Sequence, residues 1–152
     1  SYEVLVDGTA SDASIAAEIW RTKPCGMETF GAISLVTPSS SGQPQIVKFS
    51  RPIEIPIIVD VTYTLYPELV FPDDGPATIQ QAVADYINNL PIGRDLFANT
   101  LYGPIYSAVQ GLQITGIFIR KKDGSTGITL EIPIGDKEFA SCLTTDVNIQ
   151  ES

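Results

Sequence analysis

From Ile53 to Leu65 every odd position is apolar: Ile53, Ile55, Ile57, Val59, Val61, Tyr63 and Leu65. The even positions are Glu54, Pro56, Ile58, Asp60, Thr62 and Thr64, polar apart from Ile58 and the proline. A period of two marks a strand with one face buried and one face wet. Thirteen residues at ~3.3 Å each predict a strand of about 43 Å, more than twice the usual length. A small domain does not cover such a strand by itself. Either it bends midway or it bridges two halves of the chain. Pro52 and Pro56 lack ladder amides, which puts that end at a sheet edge or outside the sheet. The bridge is the favoured expectation, with the prolines marking the joint.

Elements follow on both sides. Residues 2 to 6 (YEVLV) predict a short strand ending at Asp7-Gly8. The opening SYEVLVDG reads as a strand entered partway, as in a fragment of a longer protein. A helix comes next, with Ser11 or Asp12 as its cap and Ile15, Ala16, Ile19 and Trp20 at helical spacing. Lys23-Pro24 ends it and Gly26 allows a turn. Residues 32–37 and 45–49 then flank PSSSGQP as a hairpin. After the long strand, Asp73, Asp74 and Pro76 make a helix start, carboxylates lying near its positive end. Ile79, Val83, Tyr86, Ile87 and Leu90 form its buried stripe. A third helix is expected from Phe97 or Ala98 to Val109, kinked or interrupted at Gly103-Pro104, with Gly111 as its C-cap. Residues 112–120 and 127–134 predict a second hairpin around Asp123-Gly124, with Ile128, Leu130, Ile132 and Ile134 on one face. A last strand over 143–149 has Leu143, Val147 and Ile149 on one side.

One apolar face per strand implies a mostly antiparallel sheet, and the helices bury their stripes on one side of it. The expected fold is α+β in two layers. A domain over 53–150 has the order β-α-α-β-β-β, and a smaller strand-helix-hairpin region over 1–50 precedes it.

The search for chemistry returns no catalytic constellation. The chain has no histidine, which removes the usual serine and cysteine triads and the histidine zinc sites. Cys25 and Cys142 cannot close a zinc site alone and are expected as two reduced thiols. Cys25 has only Lys23 nearby to activate it. Asp73-Asp74-Gly75 lacks the spacing of a calcium loop and reads as capping. Glu54, Asp60, Glu131 and Glu138 are the carboxylates best placed for a glycosidase pair. Glu54 and Asp60 stand roughly 20 Å apart on one strand, too far for that chemistry. A solvated face is the favoured reading. Trp20, Tyr63 and Tyr86 lie on core stripes rather than on a sugar-stacking surface. Lys121-Lys122 is a small basic tip, and Gly111 and Gly116 make no phosphate loop. No cofactor and no metal are expected. The net charge of −9 disfavours nucleic acid and anionic membranes, and leaves a neutral or basic protein surface as the easier partner. No stretch of roughly 18 apolar residues occurs, and the basic start of a signal peptide is missing.

A resemblance adds to this. IAAEIWRTKPCGMETFG, then a hairpin, then VKFSRPIEIPIIVDVTYTL, resembles the baseplate J-like proteins of contractile-tailed phages, the Mu-like ones included. The matching residues are Ala17, Ile19 and Trp20, then Lys23, Pro24 and Gly26, then Thr29 and Gly31, then Phe49, Arg51 and Pro52. Later counterparts are Gly93 and Leu96, then Gly111, Leu112 and Ile114, and the closing IPIGDKEFASCLTTDVNI. Cys25 stands where a small residue is common, and Leu112 where valine is common. The resemblance spans nearly the whole chain but only the C-terminal part of the family's usual length, and makes residues 1–50 part of a middle domain. It implies a structural wedge protein of the virion tail baseplate, made in the bacterial cytoplasm, with no catalytic residues. Its partners would be other wedge and hub proteins and further copies of itself. The polar face and free edge of the long strand, with Glu54, Asp60, Thr62 and Thr64, would then be a protein interface. The alternative is a carbohydrate or receptor-binding module at a tail tip.

Overall fold

Two units emerge from the packing, Ser1–Pro52 and Ile53–Ser152. The structure, a computed structural model, describes residues 1–152.

The first unit holds β1 (Tyr2–Glu3), α1 (Asp12–Thr22), β2 (Thr29–Phe30), β3 (Ile33–Pro38) and β4 (Pro44–Phe49). Ser11 caps α1: its Oγ accepts the Ser14 amide at 3.2 Å. At the other end Lys23 is extended, as the following proline requires. Ile15, Ala16 and Ile19 of α1 bury against Val47 and Phe49 of β4. Trp20 is only partly buried, packing on this cluster while Lys23 Nζ lies 4.3 Å above its ring. β3 and β4 form the expected antiparallel hairpin, and β1 pairs β2 in parallel. Arg51 ties the unit together. Its Nε and Nη2 donate to Asp12 Oδ1 at 3.0 and 2.8 Å, and its Nη1 donates to the Gly8 carbonyl at 2.7 Å. The β1–α1 loop is thereby held to the end of β4.

The second unit holds β5 (Ile53–Leu65), α2 (Gly75–Asn88), β6 (Leu96–Phe97), α3 (Tyr102–Ala108), β7 (Leu112–Lys121), β8 (Glu131–Ile132), β9 (Glu138–Ser141) and β10 (Val147–Glu151). The class is α+β. The two long ladders, β3–β4 and β5–β7, are antiparallel, while β9 and β10 join β5 in parallel. Ile57, Val59, Val61 and Tyr63 face a single core shared with Ile79, Val83 and Ile87 of α2, Ile105 of α3 and Ile117 and Ile119 of β7. Both helices thus cover the same side of the sheet.

Several expectations are corrected. β5 does not bridge the two halves: Ile53–Pro56 pair with β9, in the same unit. Nor is its edge free, because β7 and β10 flank it on both sides. Pro56 is tolerated because β7 ends at Lys121, opposite Ile57, and only the Lys122 amide reaches the Pro56 carbonyl, at 2.9 Å. Asp74 sits at the start of α2 without a side-chain cap bond. The third helix begins as a 3-10 turn over Ala98–Leu101 and becomes α-helical at Tyr102, with Pro104 in its first turn, where a missing amide costs little.

The second hairpin closes only at Ile119 and Thr129, which exchange both backbone bonds at 2.9 and 3.0 Å. The chain then leaves β7. β8 pairs β6 instead, and Asp95 Oδ1 accepts the Ile134 amide at 2.8 Å. Ile132 and Ile134 are therefore buried while Ile128 and Leu130 are exposed, not one continuous face. β9 is an added strand, and the last strand starts at Val147, after a 3-10 turn that leaves Leu143 exposed. Asn88 holds this return in place: its amide bonds both the amide and the carbonyl of Cys142, each at 2.9 Å.

Ile119 is fully buried at the centre of the core. Its replacement by alanine is expected to destabilise the second unit by about 2–5 kcal/mol, read as a lowered urea midpoint at unchanged slope.

Candidate functional site

The helices leave the other side of the β10-β5-β7 sheet uncovered by any element of the second unit, and three of the four sequence-selected residues lie there. Strand alternation puts Ile58, Asp60, Thr62 and Thr64 of β5 opposite to the core residues. On β7 the same face carries Gln113, Thr115, Phe118 and Arg120, and on β10 Asn148 and Gln150.

Asp60 is its centre. In the ladder it stands between Phe118 of β7 and Asn148 of β10. Its Oδ2 forms an ion pair with Arg120 Nη1, and its Oδ1 accepts from Asn148 Nδ2 at 2.6 Å. Both carboxylate oxygens are thus engaged by neighbouring strands. Beside it, Thr62 stabilises a bulge. The register slips between Thr62 and Tyr63, so that Thr115 of β7 has no direct partner. The Thr115 hydroxyl donates to Thr62 Oγ1 at 3.1 Å, and Thr62 Oγ1 donates to the Gly116 carbonyl at 3.3 Å. A side chain at Gly116 would press on the Phe118 ring and the Thr62 hydroxyl, each 3.1 Å from its Cβ. Phe118 remains 41% exposed in the middle of the face.

Glu54 does not join this group. It is exposed at the β9 end of β5, opposite Phe139 and roughly 20 Å along the strand from Asp60. The other sequence-selected carboxylates are dispersed too. Glu138 Oε2 accepts the Gly135 amide at 3.1 Å within its own turn, and Glu131 is exposed in β8. No group of three or more Cys, Asp and Glu side chains converges as a metal cage would require. Around Trp20 a groove of about 610 Å³ opens beside Lys23, Met27, Glu28 and Ile46. Tyr63 is buried, and Tyr86 and Tyr102 are partly so. Burial, aided by the Glu151 charge, pushes the Tyr63 phenol up.

Arg120, Asn148 and Phe118 escape sequence reasoning. Gly116 within a strand is the available signal, since it marks the bulge that shifts the parity of β7. The thiols differ. Cys25 is exposed, whereas Cys142 is buried and its thiol is pushed up to about 11, chiefly by burial, with Asp146 adding and Lys122 opposing.

A scan against models of known protein families finds no match to this chain, and a search of curated proteins finds none either.

Two outcomes are expected. Asp60→Ala leaves Arg120 and Asn148 without their acceptor and lowers stability by about 1–2 kcal/mol, and the loss is smaller when Arg120→Ala is already present. For Cys142 the unfolded chain releases the thiol proton first as pH rises. Folding stability contributed by this group is therefore full below pH 9.0 and lost as pH rises toward about 11. Subtracting the denaturation curves of Cys142→Ala isolates that slope, and native labelling near neutral pH modifies Cys25 alone.

Proposed function

We propose that this chain is a structural part of a contractile-tail baseplate, a wedge component that acts through protein–protein contacts. Two things support the reading. The first is the resemblance carried by I-W-R-T-K-P-C-G and F-S-R-P. In the first unit those segments have a structural task. Arg51 clamps the β1–α1 loop, the Lys48 amide donates to Thr29 Oγ1 at 3.0 Å, and Gly31 lies so close to the Phe49 backbone that any Cβ would collide with it.

The observation that carries the reading is the open face of the β10-β5-β7 sheet. Asp60, Thr62, Thr115, Arg120 and Asn148 are held there by cross-strand bonds, and the face combines an exposed aromatic with a fixed arginine. Aromatic residues and arginine are the types enriched in protein interfaces. Neighbouring wedge and hub proteins, or further copies of the chain, are the proposed partners. The virion tail baseplate is the proposed location. No catalytic step is assigned.

The test uses surface changes that spare the Asp60 network. Thr64→Arg combined with Phe118→Ala is expected to leave the thermal midpoint within a few degrees while reducing complete baseplates seen by electron microscopy. A normal yield of complete, contractile particles carrying both substitutions overturns the role of this face.

A further inference from the structure

At the end of β5 the chain enters a loop, Tyr66–Asp74, whose apolar tip points into solvent: Leu69 is 57% exposed and Val70 90%. Such exposure in a rigid segment differs from exposure in a floppy one, because a preordered loop loses little entropy on docking. This loop is preordered. The Tyr66 amide donates to the Gly111 carbonyl at 3.0 Å, and the Leu69 amide closes a turn onto the Tyr66 carbonyl at 3.1 Å. Phe71, next to the tip, stacks on Tyr63 with ring centroids 5.5 Å apart, anchoring the loop to the core. Gly111, at φ +86°, lets the backbone pass so closely that a Cβ there would sit 2.9 Å from the Val70 carbonyl oxygen. Pro67 and Pro72 limit the chain further.

The charge around the tip has one sign. Glu68, Asp73 and Asp74 are exposed on the loop, and Glu151 pairs with Tyr63 at the same end of the sheet. No lysine or arginine occurs between Arg51 and Arg94, or between Arg94 and Arg120. The cations of the second unit gather at the opposite end of β5. Arg120 and Lys121 stand against Ile58 and Ile57, the Lys122 amide bonds Pro56, the Lys137 carbonyl bonds the Ile53 amide, and Arg94 follows Gly93, which bonds β9. About eight residues at ~3.3 Å, some 26 Å, separate that end from Leu65.

We propose that the Tyr66–Asp74 loop is a docking element for a different protein, which receives Leu69 and Val70 in an apolar groove rimmed by lysine or arginine. Charge selects this occupant. A second copy would bring either its own acidic tip or a far end where Arg120 and Lys122 are already paired with Asp60 and Asp146, and an anionic lipid surface would repel the three loop carboxylates. A basic rim instead supplies the countercharges that the chain keeps at its far end. The inference stands on the loop and its field rather than on the open sheet face, so failure of the sheet-face variants leaves it intact, and the reverse holds.

The test is site-specific photo-cross-linking in cells that make the full chain. A benzophenone amino acid replaces Val70, and the adduct is sequenced by mass spectrometry. The expected result is one dominant adduct on a different protein, mapped to an apolar segment flanked by Lys or Arg. Its yield is expected to fall about tenfold when Glu68→Gln, Asp73→Asn and Asp74→Asn are combined. Far-UV circular dichroism and the melting point check that these exposed substitutions leave the fold unchanged. An adduct to a second copy of this chain, to lipid, to many proteins without preference, or no adduct at all overturns the proposal. So does a single adduct whose yield ignores the charge neutralisation.

Discussion

The second unit condenses on one surface, the face of β5 formed by Ile57, Val59, Val61 and Tyr63. Each of these side chains is almost fully buried. Burying one of this size is worth about 1.5–3 kcal/mol. Because β5 is the central strand, the same four side chains serve β7, β10, α2 and α3 together. The opposite face follows from this. Strand alternation sends Asp60, Thr62 and Thr64 outward, where Asp60 and Thr62 find partners in neighbouring strands.

Those partners make the outer face a defined surface. A lone half-buried carboxylate would carry a desolvation cost without compensation. Asp60 avoids it through Arg120 and Asn148, one from each flanking strand. The bulge at Thr115 fits the same plan, since it moves β7 by one residue and restores the alternation that brings Phe118 and Arg120 to the outside. In the first unit Arg51 plays a comparable part. One guanidinium satisfies a carboxylate and backbone carbonyls of a loop that has little regular structure of its own.

Much of the architecture was legible in local sequence. The period of two over 53–65, the helical stripe of α2 and the Ser11 and Lys23-Pro24 ends of α1 all became the elements they suggest. The open sheet face was legible in half. Asp60, Thr62 and Thr64 share a strand, so period alone groups them, and their partners sit far away in the chain. The hairpin after β7 misled for the same reason. Ile128 and Leu130 alternate as well as Ile132 and Ile134 do, yet β6 and Asp95 draw only the second pair into the core.

By itself the sequence determined which residues of each segment share a face, because side-chain direction follows from backbone geometry within a few residues. It also determined where proline and glycine interrupt that geometry. Tertiary structure alone decided that β5 is a central strand and not an edge, that β9 and β10 run parallel to it, and that Asp60 meets Arg120 and Asn148. Pairing between strands depends on backbone hydrogen bonds that any residue but proline can make. The choice among partners is therefore settled by the packing of the whole unit, not by the pattern of any one strand.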